Sequence, residues 1–101
     1  MDDKRLHARV PLDVTLSCER VGGVSFAARA KDISVGGMFL ESAELPTFGT
    51  ELMIVGRLPG SKKDVRMPAV VRWTKPGGFG VQFGLLGAFE THVMSELMKA
   101  G

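Results

Sequence analysis

Residues 10–19, VPLDVTLSCE, carry an apolar side chain at every second position. Val10, Leu12, Val14, Leu16 and Cys18 fall on one side of an extended chain; Asp13, Thr15, Ser17 and Glu19 fall on the other. A period of two over this length builds a strand with one face in a core and one in water. The same alternation returns at 65–74, where Val65, Met67, Ala69, Val71 and Trp73 oppose Arg66, Pro68, Val70, Arg72 and Thr74. It returns at 24–31, with Val24, Phe26, Ala28 and Ala30 as the apolar set, and at 79–84, with Phe79, Val81 and Phe83. MFLES (38–42) and ELMIVGRL (51–58) complete six strands. Between them lie RVGG, DISVGG, AELPTFGT, PGSKKD and KPGG, all rich in turn residues. Pro68 lacks a backbone donor, so its strand is expected to have an irregular side there. Gly80 and Gly84 imply tight bends or a close backbone approach.

The period changes in AFETHVMSELMKA (88–100), where Phe89, Val93 and Leu97, with Met94 and Met98, recur at helical spacing. The six strands are spaced like an antiparallel meander. An open sheet of this kind would leave its apolar face and its edges uncovered, and closure removes both problems. The fold expected is all-β: a six-stranded antiparallel β-barrel with a C-terminal α-helix. A chain of 101 residues is one domain and can bury a core without a metal or a disulfide. Residues 10–101 form that barrel and helix, and residues 1–9 read as a flexible arm carrying arginines. The single cysteine, Cys18, lies in an apolar set and reads as core filler. No apolar run reaches 18 residues, and the N-terminus lacks the apolar region of a signal peptide. The expectation is a cytoplasmic protein without membrane insertion.

Two segments exceed what the scaffold needs. In RLHAR (5–9), Arg5 and Arg9 stand four apart just before the first strand. Two guanidiniums there can clamp phosphates, pair with guanine O6 and N7, or stack on a base. In DISVGG (32–37), an extended chain puts Asp32 and Ser34 on one face. An ionised Asp only accepts hydrogen bonds, whereas Ser does both, which suits the N–H edge of guanine. Gly36 and Gly37 leave room for a flat ligand. Each segment also has a plain reading: paired arginines recur by chance, and D-x-S-x-x-G opens a hairpin as an Asx or Ser turn. Lys4 precedes the arginine pair and is long enough to reach a second, stacked ligand molecule. Arg72 lies on a polar strand face and is a further candidate. Trp73, in the apolar set, reads as core.

The charges argue against other classes. A net charge of +2 is not that of a dedicated DNA-binding domain. Binding of single-stranded nucleic acid on a small barrel needs exposed aromatic rings. Phe26, Phe79, Phe83 and Trp73 all fall in inward-facing sets, so neither DNA nor RNA is expected as a partner. His7 and His92 have no partner for acid–base work, and nothing arranges a nucleophile, so the chain is not expected to be an enzyme.

In this order, an arginine arm, a strand, a hairpin and D-x-S-x-x-G, the sequence resembles the PilZ domain family. That family recognises bacterial cyclic di-GMP through R-x-x-x-R and [DN]-x-S-x-x-G. VVRW and GFGVQF resemble its closing strands, and its fold is a six-stranded barrel with a C-terminal helix. The resemblance implies that Arg5 and Arg9 grip phosphates and guanine faces, and that Asp32 and Ser34 read a guanine edge. It implies that Gly36 and Gly37 allow the loop to approach the ligand, with no cofactor beyond that ligand. It also implies that the arm orders on binding and passes the signal to a protein partner. The exposed side of the helix and the Lys62–Arg66 turn are candidate contact surfaces. A PilZ-like interaction module that binds no nucleotide is the alternative within the family.

Overall fold

The computed structural model of the chain describes residues 9–100. Six strands, β1 (Val10–Arg20), β2 (Phe26–Ile33), β3 (Gly37–Glu41), β4 (Glu51–Gly56), β5 (Val65–Lys75) and β6 (Gly78–Phe83), precede one helix, α1 (Ala88–Ala100). They close into an antiparallel barrel in the order β1-β2-β3-β6-β5-β4. The barrel and its helix match the expectation, but the meander does not. β3 pairs with β6 rather than with β4, and β4 pairs with β1, Cys18 lying opposite Ile54. The loop after β3 carries the chain to the far side of β1, so closure joins two three-stranded meanders. Among the described residues no helix is long and apolar enough to cross a membrane.

The inward positions of the alternating sets fill the barrel. Leu16, Cys18, Ile54, Met67, Val71 and Phe79 are fully or almost fully buried. Helix α1 adds Val93, Met94 and Leu97 to the same core. Glu90, in its first turn, suits the positive end of the helix dipole. Its carboxylate accepts the Arg66 backbone N–H at 2.9 Å, tying the helix to the start of β5. Pro68 sits just past the last β5–β6 pair, Ala69–Phe83, and its carbonyl takes the Gly84 N–H at 2.8 Å. Pro68 is also in register with Met53 of β4, and the irregularity of β5 lies instead between Val71 and Trp73.

The alternation fails at three places. Val24 is exposed and precedes β2, which begins at Phe26. On β2, Ala30 faces Leu40 and Asp32 faces Phe39, so Lys31 is an extra residue. On β5, Val71 faces Val81 and Trp73 faces Gly80, so Arg72 is extra. Each bulge reverses the phase of the residues beyond it. By simple alternation Asp32 follows Ala28 and Ala30 inward, and Trp73 follows Val71. Instead Ile33 is buried in place of Asp32, and Trp73 is 47% exposed. Trp73 is therefore not core, because the bulge at Arg72 turns it out.

Gly37 and Gly36 separate two roles that sequence alone merges. A Cβ on Gly37 would lie 2.1 Å from the Val81 carbonyl oxygen, whereas one on Gly36 meets nothing within 4 Å. Gly37 is thus required where β3 meets β6. Gly37→Ala should lower stability by about 1–3 kcal/mol, as overpacking does. Gly36→Ala should change it by less than about 0.5 kcal/mol, as open surface positions do. Thermal denaturation of the two variants checks this, at about 4–8 °C per kcal/mol for a domain of this size. Burial pushes the Cys18 thiol from 9.0 up to about 12. The unfolded thiol loses its proton first, so the contribution of this group is intact below pH 9 and is lost as pH rises toward 12. Urea denaturation at stepped alkaline pH should show a decline in stability that Cys18→Ala reduces.

Candidate functional site

The outer faces of β2, β3, β6 and β5 form one concavity of about 480 Å³. Its first wall begins at Arg9, immediately before β1. The Arg9 Nε donates to Asp32 Oδ1 at 2.8 Å, and a terminal guanidinium nitrogen donates to the same oxygen. Both side chains are partly exposed, at 47% and 32%, so the pair contributes little to stability, about 0–1 kcal/mol. Its effect is positional: it places a cation and a carboxylate side by side at the rim. Asp32 is available there because of the β2 bulge.

Ser34 follows in the turn between β2 and β3 and is buried. Its N–H donates to the Gly37 carbonyl at 2.8 Å, and its hydroxyl donates to the same oxygen at a long 3.5 Å. The Gly36 carbonyl accepts the Phe83 N–H at 2.8 Å, anchoring the turn to β6. The residues that make the hairpin are the ones that line the concavity.

The opposite wall is aromatic and cationic. Phe39 of β3 and Trp73 of β5 flank Gly80 of β6 and stack over it, centroids 5.4 Å apart and planes 6° from parallel. The stack needs bare backbone beneath it. A Cβ on Gly80 would lie 2.3 Å from the indole, and one on Gly78 would lie 2.5 Å from the Phe39 ring. The Lys75 ammonium sits 4.9 Å from the centre of the Phe39 ring, a cation–π distance. Arg72 projects beside Trp73, and its Nε donates to Gln82 Oε1 at 2.8 Å.

Arg9, Asp32, Ser34, Gly36, Gly37 and Arg72 thus line a single concavity. Lys4 and Arg5 lie outside the described residues, as does His7. Sequence reasoning missed Phe39, Lys75 and Gln82, and placed Trp73 inside. With Trp73 and Phe39 on the outer surface, inward-facing aromatics no longer argue against nucleic acid at this site. One trace was visible in the sequence: Gly78 and Gly80, two apart, leave a trough on one face of β6 that large neighbours must fill. What approaches Gly80 is an indole ring. Three cations, Arg9, Arg72 and Lys75, and one carboxylate, Asp32, line the concavity, so it suits an anionic ligand with flat rings. Among the described residues no cluster of His, Cys, Asp or Glu could hold a metal ion.

The fold has counterparts among solved structures. The fold is similar to that of the PilZ domain of CeSA from a cellulose synthesizing bacterium (TM-score 0.71, 16% identity, covering 91% of this chain and 95% of that one). It is also similar to the Bacillus subtilis inhibitor of motility MotI/DgrA (TM-score 0.70, 17% identity, covering 92% of this chain). The match takes in 49% of that second protein. At these identities the likeness is one of fold. No protein of curated function matches the sequence. The profile of the PilZ domain matches residues 3–92, most of the chain, and this chain belongs to the PilZ domain family.

Proposed function

We propose that the protein binds cyclic di-GMP in the concavity between Arg9–Asp32 and the Phe39–Trp73 stack. The observation that carries this is the union of unlike groups in one concavity. Arg9, Asp32 and Ser34 come from the two motifs, and an aromatic stack with Arg72 and Lys75 faces them. PilZ domains are known as cyclic di-GMP receptors. The ligand's two phosphates suit the cations, its guanines suit the aromatic rings, and the guanine N1–H and N2–H₂ groups suit the Asp32 carboxylate. Arg5, four residues before Arg9, supplies a second guanidinium, and Lys4 a cation for a second stacked ligand molecule. Gly36 gives the ligand clearance. As the arm from residues 1–9 folds over the ligand, it alters a surface that a protein partner reads. The protein is a binding module in this reading, and no reaction is assigned to it.

Titration calorimetry with cyclic di-GMP tests the reading. The wild type should bind at micromolar or tighter affinity, about −8 kcal/mol. Arg5→Ala, Arg9→Ala and Asp32→Ala should each weaken binding tenfold or more, with Tm within a few degrees of wild type. A fitted stoichiometry of two would support the role given to Lys4, and a clean one-to-one fit would remove it. Trp73 is the sole tryptophan, so its fluorescence reports this wall alone. It should change on addition of ligand and saturate at the calorimetric midpoint. An unchanged spectrum at saturation would place the ligand elsewhere. Because Trp73 is exposed and Phe39 half-buried beside basic residues, a single-stranded oligonucleotide is the necessary competitor. Displacement of cyclic di-GMP by it at comparable concentration would favour nucleic acid instead.

A further inference from the structure

Arg72 is the inserted residue of the β5 bulge. A regular strand sends consecutive side chains to opposite faces. Here Arg72 and Trp73 both project from the outer face, so a guanidinium stands directly beside an indole. The guanidinium is also held. Its Nε donates to Gln82 Oε1 at 2.8 Å. Only the oxygen of the amide can accept that bond, so chemistry fixes which way the Gln82 amide is turned. The Gln82 backbone is itself in register, opposite Gly37 on one side and Val70 on the other.

With Nε engaged, the donors left to Arg72 are on its two terminal nitrogens. They form a planar fork that matches two acceptors lying side by side. The Hoogsteen edge of guanine presents that pair, O6 and N7. Adenine keeps N7 but has an amino donor where guanine has O6. A fork facing adenine would set donor against donor. A freely rotating arginine could turn aside or move to a phosphate, and the bond to Gln82 restrains it.

We propose that Arg72, held by Gln82, reads the Hoogsteen edge of the base and adds to the site's selection of guanine over adenine cyclic dinucleotides, with Gln82 as the positioning residue. This rests on the reading of the concavity as a cyclic dinucleotide site. It differs from a phosphate-gripping role for Arg72, which would treat the two bases alike. Gln82 is exposed, and among the described residues the only hydrogen bond of its side chain is the one to Arg72. Its substitution therefore leaves the barrel intact.

The test is calorimetric titration of cyclic di-GMP and cyclic di-AMP into the wild type, Gln82→Leu, Gln82→Glu and Arg72→Lys, with a Tm for each. The readout is the ratio of the two affinities. The wild type should prefer the guanine ligand by roughly ten- to a hundredfold or more, the discrimination of one bidentate base contact. Gln82→Leu should reduce that ratio about tenfold. Arg72→Lys, which keeps the charge but has no fork, should do the same. Gln82→Glu retains an acceptor and should keep the ratio, even where both affinities shift. If Gln82→Leu and Arg72→Lys leave the ratio unchanged while weakening both ligands equally, Arg72 acts only as a charge. The inference then fails while cyclic di-GMP binding stands. A wild type that binds neither dinucleotide overturns the binding reading, and this inference with it.

Discussion

Side chains along an extended chain alternate between two faces, and the phase set at one end holds to the other unless the pairing gains a residue. Of the three register shifts in the barrel, one of which lies between Pro11 and Val14 on β1, two decide which side chains reach the concavity. Lys31 on β2 and Arg72 on β5 each oppose no partner of their own on the neighbouring strand. Downstream of each, the outward and inward positions exchange. Asp32 and Trp73, inward by simple alternation, are delivered to one outer face, and Ile33 takes the buried place. Without the two bulges the carboxylate would enter an apolar core unpaired, which is strongly unfavourable. The site would also lose an acceptor on one wall and its larger aromatic ring on the other.

The site depends on this phase change together with the strand order. β6 lies between β3 and β5, so Phe39 and Trp73 approach from either side of the same strand. They meet because Gly80 has no side chain between them. Gly78 makes room for the Phe39 ring in the same way. The turn that holds Ser34 is fastened to the end of β6 by the Phe83–Gly36 hydrogen bond. The first motif's Arg9 reaches the second motif's Asp32 because β1 and β2 are paired at their ends, Val10 opposite Ile33. The closed barrel fixes these cations, this carboxylate and these rings relative to one another, since it has no free edge along which strands can slip.

Much of the scaffold was legible beforehand because burial has the period of the backbone. Leu16, Cys18, Met67, Val71 and Phe79 sit where alternation puts them, and Val93 and Leu97 where a helical period does. Closure was legible as well, since six amphipathic strands have no other simple way to cover their apolar faces. The partner of each strand was not. Local spacing favoured a meander, and the loop over residues 42–50 carries no mark of where it delivers β4. The outward turn of Trp73 was hidden for a similar reason. A bulge is a relation between two strands, and VVRWT contains only one of them.

The sequence by itself determined the six strands, the helix, the buried faces and the two motifs, because these depend on periodicity and on residues close along the chain. Only the tertiary structure decided that β3 meets β6, that Asp32 and Trp73 face outward, and that Phe39, Lys75 and Gln82 share their surface. Those facts depend on pairing between segments far apart in the chain. A single inserted residue in that pairing reverses which side chains face the solvent, while the pattern of residues stays the same.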